Sequence, residues 1–359
     1  MSIGKGLKPV AIDNLLEVGF SPKYRCSTRT NSIAYCRLKL EARPCLFQMP
    51  PNFLLNQKIK CDIVAMTASL FYKSDCILGE GAFWHELRQS FFWVDIEGKR
   101  LHERSEKKGN ANSWQFQHRP SMIALNTRGQ MVIAFQSGLA QVDLNTGNVH
   151  WLLAIEKDNP GIRTNDGAVD PAGRLWIGTM DVNFKEGAGA LQCIGKDFSL
   201  TKKVEGLTIP NGLVWSLDGR TMYHIDSPTK KVQAYSFESK TGEIIFERTA
   251  VTIPPGGGAP DGMCIDEEGM LWIAQWDGFG VYRWDPLTGN LLDKIEVPVP
   301  QVSSCAFGGP DFDQLFITTA RENFSAENLK KYPDSGSVYV ARPGVRGVKK
   351  NLFAGPQPQ

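Results

Sequence analysis

Six polar side chains recur at one matched position along this sequence, and they are the residues best suited to chemistry. Each lies about three residues before a short apolar run, at Glu80, Ser121, Asn165, Asn211, Asp261 and Ser303 or Ser304. Because they share a place in a repeat, we expect them to converge on one concave polar site. Carboxylate and amide oxygens are hard ligands that suit Ca²⁺, Mg²⁺ or Mn²⁺, and zinc also accepts carboxylates.

A plainer interpretation treats each of the six as an independent turn residue. Asn, Asp and Ser all favour turns, so this interpretation applies to any one of those positions. It does not suit Glu80, which is not a turn former, and it does not explain polar residues in all six copies. We therefore favour the shared site.

The repeat that carries these residues reads as a β-hairpin. Its clearest copy is 259–274, in which an apolar run (263–265) meets a polar turn and a second apolar run (270–274) follows. Gly269 can supply the positive φ that a tight turn between strands often needs. The copies recur about every 40 to 50 residues, a spacing typical of four-stranded propeller blades. Six copies predict an all-β protein with six propeller blades.

The propeller also explains why the polar position matters. Short, half-apolar strands cannot bury both faces alone, and stacking blades around an axis covers those faces and leaves few exposed edges. The first strand of each blade lines the central channel. We therefore expect the six polar side chains at one mouth of that channel, and the Trp and Phe residues at matched positions between the blades.

The chain is divided by this pattern into an N-terminal extension, 1–65, and a propeller domain, 66–359. The extension holds Cys26, Cys36, Cys45 and Cys61, which are widely spaced and have no histidine nearby, so a zinc site is not expected. Residues 1–12 lack the apolar core of a signal peptide. We expect a cytoplasmic protein with free thiols, whose extension is poorly ordered or not part of the natural protein.

Several classes of function are disfavoured by composition and motifs. A net charge of +2 and a pI near 8.0 give no basic footprint for nucleic acid. No apolar run approaches the roughly 18 residues that span a membrane. The sequence has neither a Gly-x-Ser-x-Gly elbow nor a His-Glu-x-x-His motif, and its five histidines occupy no equivalent repeat position. We expect a monomer or a small homo-oligomer.

Over about residues 69–355 the sequence resembles the regucalcin, gluconolactonase and luciferin-regenerating-enzyme family of six-bladed propellers. The motifs that carry the resemblance are 78–81 (Leu-Gly-Glu-Gly), 165–174 (Asn-Asp-Gly-x-Val-Asp-Pro-x-Gly-Arg), 178–180 (Gly-Thr-Met), 210–213 (Pro-Asn-Gly-Leu), 225–227 (Ile-Asp-Ser), 260–263 (Pro-Asp-Gly-Met), 305–309 (Cys-Ala-Phe-Gly-Gly) and 320–321 (Ala-Arg).

The resemblance implies roles for particular residues. Glu80, Asn211 and Asp261 match the family's divalent-metal ligands, and Asp261 also matches its acid/base residue. Arg163 and Asn165 match substrate-contacting residues.

The sequence departs from the family pattern at one place. Regucalcin members carry an acidic substrate contact shortly after Gly-Thr-Met, where this chain has Asn183. Asp166 remains open between a turn role and a site role, because an acid before glycine is also a turn signal.

The expected activity is hydrolysis of a sugar-acid lactone, a small-molecule substrate, with one divalent ion (Ca, Mn, Mg or Zn). Such an ion can polarise the ring carbonyl or lower the pKa of a bound water. Asp261 could instead act as the general base on that water. The alternative is a non-catalytic propeller that binds metal or other proteins, since fold alone does not fix function. An interaction module needs no polar cluster at one channel mouth, which counts against it.

Overall fold

The structure, a computed structural model, describes residues 66–106 and 109–355. Within these ranges it contains 25 β-strands, arranged in six sheets, and one short α-helix. Neighbouring strands within each sheet pair antiparallel, apart from one added edge strand. The inner strands of successive sheets contact one another around a common axis. The expected all-β, six-bladed propeller is therefore confirmed.

The strands follow the chain from the axis outward in each blade, apart from two N-terminal strands that form the outer edges of blades 5 and 6. Blade 1 holds β3 (Gly79–His85), β4 (Ser90–Asp95), β5 (Arg100–Ser105) and β6 (Ala111–Gln115). Blade 2 holds β7 (Pro120–Leu125), β8 (Met131–Phe135), β9 (Gly138–Val142) and β10 (Val149–Ala154). Blade 3 holds β11 (Ile162–Val169), β12 (Leu175–Asp181), β13 (Gly189–Ile194) and β14 (Leu200–Leu207).

Blades 4 to 6 continue the same order. Blade 4 holds β15 (Pro210–Trp215), β16 (Thr221–Asp226), β17 (Lys231–Glu238) and β18 (Glu243–Thr252). Blade 5 holds β19 (Ala259–Ile265), β20 (Leu271–Trp276), β21 (Gly280–Trp284), β22 (Leu291–Glu296) and the edge strand β1 (Met66–Thr67). Blade 6 holds β23 (Val302–Gly308), β24 (Gln314–Thr319), β25 (Val338–Ala341) and β2 (Ser69–Tyr72), with α1 (Ala326–Lys331) before β25.

The aspartate that begins the polar turn of the repeat stabilises the hairpin through hydrogen bonds. One carboxylate oxygen of Asp266 accepts two turn N–H groups at 2.9 and 3.0 Å, and the other accepts the indole N–H of Trp272 at 3.0 Å. Asp170 makes the same contacts, including one to the indole of Trp176 at 2.9 Å. Gly269 has a φ of 80°, as the turn pattern predicts. The repeated acid and tryptophan therefore belong to one structural unit.

Aromatic side chains fill the spaces between blades, as expected from their matched positions. Trp176 of blade 3 meets Trp215 of blade 4 with ring centroids 6.0 Å apart. Trp272 of blade 5 meets Phe307 of blade 6 at the same distance, edge to face. Both Trp176 and Trp272 are fully buried. Because truncating a buried aromatic typically costs about 3 to 5 kcal/mol, these contacts contribute strongly to holding neighbouring blades together.

The ring is closed by the N-terminal end of the propeller. Strand β2 pairs antiparallel with β25, so residues near the two ends of the described chain share blade 6. Phe71 on β2 packs edge to face on Phe316 of β24 at 4.9 Å between centroids. Strand β1 adds to β22 in parallel, which gives blade 5 five strands where the repeat predicts four.

We predict that a protein beginning at Met66 folds and keeps its activity, since it retains every described strand. A protein beginning at Lys73 loses β1 and β2, leaves the outer edge of β25 unpaired and exposes Phe316, so its unfolding free energy should fall by several kcal/mol. Thermal unfolding of the two proteins checks this. Loss of folding in the longer one would show that 1–65, which lie outside the described residues, are needed by the propeller.

The described cysteines are reduced and buried. Cys76, Cys193, Cys264 and Cys305 are all free thiols. The other four cysteines lie outside the described residues. Among the helices of the described chain, none is long and apolar enough to cross a membrane.

Candidate active site

A β-bulge lies at the polar position of every inner strand. The pairing register shifts between Glu80 and Phe83, Pro120 and Met122, Thr164 and Gly167, Asn211 and Leu213, Pro260 and Met263, and Val302 and Ser304. A bulge adds an unpaired residue, bends the strand and redirects a side chain. The six polar residues of the repeat therefore sit at, or directly beside, the irregular point of their strands.

Glycine lets the inner strands approach one another at these bulges. A Cβ added at Gly212 would lie 2.7 Å from the carbonyl oxygen of Asp261 on the next blade. One added at Gly262 would lie 2.5 Å from the hydroxyl of Ser304. Both distances are far inside van der Waals contact, so the glycine that follows Asn211 and Asp261 is required by close packing around the axis.

A continuous chain of hydrogen bonds joins three blades at this mouth of the channel. Arg163 Nη1 donates to Asn165 Oδ1 at 2.6 Å, and Asn165 Nδ2 donates to Asn211 Oδ1 at 3.0 Å. Asn211 Nδ2 donates to Ser227 Oγ at 2.8 Å, and Ser227 donates to the Pro260 carbonyl at 2.6 Å. This series of hydrogen bonds fixes the amide orientation of Asn211. It also links the expected substrate-contacting residues, Arg163 and Asn165, to an expected metal ligand.

Two buried carboxylates lie at the same mouth. Glu80 is 8% exposed and Asp261 is 7% exposed. Burial and the nearby Asp166 charge raise the pKa of Glu80 to about 8. Burial, and then repulsion from Glu80 and Asp166, raise the pKa of Asp261 well above its usual value. These carboxylates therefore crowd negative charge into a site that removes them from water.

The donor set fits a hard divalent cation. In the described part of the chain, Asp261 Oδ1 is buried and has no hydrogen-bond partner. An unpaired buried carboxylate oxygen is costly, and a cation would relieve both that cost and the repulsion from Glu80. Over residues 66–106 and 109–355, no three His, Cys, Asp or Glu side chains form a metal cluster. A cation here would therefore depend on the amide oxygen of Asn211 as a third protein ligand.

Two of the six polar residues have structural partners instead. Ser121 Oγ shares a 2.8 Å hydrogen bond with Thr164 Oγ1 on the next blade. Ser303 Oγ donates to the carbonyl of Gly79, which joins blade 6 to blade 1. At these two positions the recurring polar residue of the repeat links neighbouring blades, and both serine residues are almost fully buried.

Two observations bear on the turn role and the site role that the sequence left open for Asp166. Its Oδ1 accepts the backbone N–H of Gly167 at 2.7 Å, which is a local turn contact. Its charge also raises the pKa of both Glu80 and Asp261, which places it electrostatically within the site. Asn183, by contrast, is exposed in the loop after β12, and its N–H donates to Asp181 at 2.7 Å.

Two further residues of the site escaped the sequence reasoning. Glu322 is partly buried, and its negative charge raises the pKa of Glu80 and Asp261. It directly follows the 320–321 pair that matches the family, and this position in the sequence could have pointed to it. Ser227 closes the matched 225–227 motif, but its contact with Asn211 depends on the register of β15 and β16.

The site lies within a region shared with known proteins. A family model described as the SMP-30/Gluconolactonase/LRE-like region matches residues 78–321, more than half of the chain. The chain belongs to this family. The matched region includes all six polar positions of this SMP-30/gluconolactonase/LRE-like propeller, and it ends just before Glu322 and the closing strand β25.

Individual proteins of the family are similar to this chain over most of its length. Regucalcin of Xenopus laevis is 34% identical over 284 residues, which cover 77% of this chain and 95% of that protein. The structure of the calcium-binding protein regucalcin from Agrobacterium tumefaciens matches with a TM-score of 0.77 and 29% identity, covering 80% of this chain and 98% of that one. A luciferin-regenerating enzyme matches with a TM-score of 0.72 and 30% identity, covering 78% and 96%.

Proposed function

We propose that this chain is a metal-dependent hydrolase that opens a sugar-acid lactone. The observation that carries the proposal is the buried pair Glu80 and Asp261 beside the oriented amide of Asn211, with one carboxylate oxygen left without a partner. Membership of the SMP-30/gluconolactonase/LRE-like family supports a lactonase-type activity.

Glu80, Asn211 and Asp261 would hold one divalent cation. When bound, it would supply Lewis-acid stabilisation of the negative charge that develops on the lactone carbonyl oxygen. Ca²⁺, Mn²⁺, Mg²⁺ and Zn²⁺ all accept this donor set, and the calcium-binding relative favours Ca²⁺ as the first ion to test.

The chain's own residues divide the remaining work. Asp261 accepts the proton of the attacking water, a general-base role for a carboxylate oxygen that the cation would leave free. Arg163 is buried, and its Nη1 is already bonded to Asn165 and to the Thr164 carbonyl. A guanidinium carries five N–H donors, so its remaining groups can bind substrate oxygens. Asn165 is held by Arg163 and Asn211, which limits the motion of the substrate-facing wall.

A panel of lactones tests the proposal. Proton release should be followed for δ- and γ-lactones of sugar acids and for a ring of the same size without hydroxyl groups, each with Ca²⁺, Mn²⁺, Mg²⁺ and Zn²⁺. We expect at least one sugar-acid lactone to be hydrolysed with a kcat/KM at least about tenfold above that of the unsubstituted ring, because the site would bond its hydroxyl groups. No hydrolysis with any metal would favour the non-catalytic alternative.

Ser227→Ala should weaken metal binding without removing a ligand. The hydroxyl holds Asn211 Nδ2, and loss of such a supporting contact typically lowers metal affinity by about 10- to 100-fold. Calorimetric titration with CaCl₂ and MnCl₂ checks this. Ser236→Ala, which removes a partly exposed hydroxyl of the same blade, is the matched control and should leave affinity unchanged. Equal affinity in the two variants would show that Asn211 needs no support.

A further inference from the structure

The C-terminal tail (345–355) crosses the end of the channel opposite the proposed metal ligands. Phe353 is 1% exposed, and its N–H donates to the carbonyl of Leu125, at the end of an inner strand, at 2.8 Å. Gly347 donates to blade 6 at 2.8 Å, and the side chain of Asn351 donates to blade 3 at 3.0 Å. Glu80 and Asp261 lie at the starts of the inner strands, so the tail lies at their far end.

Between the tail and the inner strands lies a cavity of about 400 Å³. This volume falls within the range of small-molecule sites in proteins. All six blades contribute to its wall, which includes the apolar side chains of Phe83, Ile123, Leu213 and Met263. None of the three proposed metal ligands lines it. Its rim includes Leu217, which is 54% exposed, so the cavity is reached from solvent on the tail side.

The tail places two cations at this apolar space, Lys349 and Lys350. Lys350 lines the cavity, its Nζ donates to the carbonyl of Ala82 at 2.8 Å, and it lies 5.2 Å from the centroid of the Phe83 ring. Loss of water lowers the pKa of this ammonium group, although its side chain retains surface facing the cavity. The neighbouring Lys349 forms an ion pair with Glu86. Lys350 takes part in none of the ion pairs between described residues.

We propose that this cavity is a second ligand site, which binds a small molecule made of one carboxylate and an apolar body. The carboxylate of the ligand pairs with Lys350, which forms no ion pair with a described residue, although the charge of Asp166 favours its protonated form. The body of the ligand contacts the apolar wall. Asp166 lines the same cavity, so a second negative charge on the ligand is repelled. The site therefore selects monocarboxylates over dicarboxylates and over neutral molecules of the same length.

Calorimetric titration of the full-length protein tests this with sodium octanoate, octan-1-ol and disodium octanedioate as probes. We expect one octanoate per chain, and binding at least about tenfold weaker for the alcohol and for the diacid, since a charge-assisted hydrogen bond is lost or opposed. Lys350→Met should weaken octanoate binding at least about tenfold and leave octanol unchanged. Lys350→Arg should restore most of the octanoate affinity.

Lys349→Met is the comparison variant, because Lys349 also lines the cavity but its ammonium group already pairs with Glu86. It should bind octanoate as the wild type does, and circular dichroism should show native folding in all three variants. The proposal is overturned if the wild type binds no octanoate, if Lys350→Met binds it unchanged, or if Lys349→Met loses as much affinity. Lactone hydrolysis is not the readout, so the result is independent of the proposed catalytic function.

Discussion

Asp261→Asn should lower kcat for lactone hydrolysis by roughly 10²- to 10⁴-fold with metal saturating, the range that a general base contributes. Asparagine keeps the size of the side chain and one ligand oxygen, but it removes the negative charge and the proton acceptor. Steady-state kinetics over a series of metal concentrations separates the two roles. If Asp261 only coordinates the cation, excess metal should recover much of the activity, whereas loss of the base persists at every metal concentration.

Asn211→Ala provides the comparison. This residue has no acid–base function, so its replacement should act mainly through metal affinity, and a sufficient metal concentration should return kcat close to the wild-type value. An Asp261→Asn protein that hydrolyses lactones at the wild-type rate would rule out both the coordinating and the proton-accepting role of Asp261. The proposed mechanism would then have no remaining base among its assigned residues.

Chelation should abolish lactone hydrolysis, and a divalent metal should restore it. Without the cation, burial and mutual repulsion favour the protonated forms of Glu80 and Asp261, and nothing stabilises the developing oxyanion. The same treatment should lower the thermal stability, because a ligand at 100 times its Kd stabilises the folded state by about 2.7 kcal/mol. Activity and the unfolding midpoint should therefore fall and recover together as EDTA is added and CaCl₂ or MnCl₂ is returned.

The matched control for chelation is Asn211→Ala, whose unfolding midpoint should respond less to the added metal. Full activity in protein that elemental analysis shows to be free of metal would contradict metal dependence. A midpoint that rises with metal while no lactone is hydrolysed would instead support the non-catalytic metal-binding alternative.

The blades and the polar positions could be predicted from the sequence because their determinants are local and repeated. The clearest hairpins carry their own turn acid, turn glycine and second-strand tryptophan, as Asp266, Gly269 and Trp272 show. The β-bulge at the polar position was not predicted, but the shared place of Asn165 and Asn211 in the repeat was sufficient to predict that they lie together, and a hydrogen bond joins them.

The parts that could not be predicted depend on contacts between distant residues. Closure of blade 6 pairs Ser69 with Val340, which are 271 residues apart, and β2 carries no copy of the repeat to reveal its partner. The support of Asn211 by Ser227 depends on the register of two strands and not on either motif alone. The course of the tail, which brings Lys350 to Ala82, likewise arises only when the ring has closed.

Direct titration of the protein with a divalent cation tests the central claim, that Glu80, Asn211 and Asp261 form one metal site. Isothermal calorimetry with CaCl₂ and MnCl₂ on chelator-treated protein should give one tight ion per chain. Glu80→Gln and Asn211→Ala should each weaken that binding by at least about tenfold, since each removes a ligand charge or a ligand atom. Wild-type protein that binds no ion, or variants that bind it as tightly as the wild type, would contradict the account.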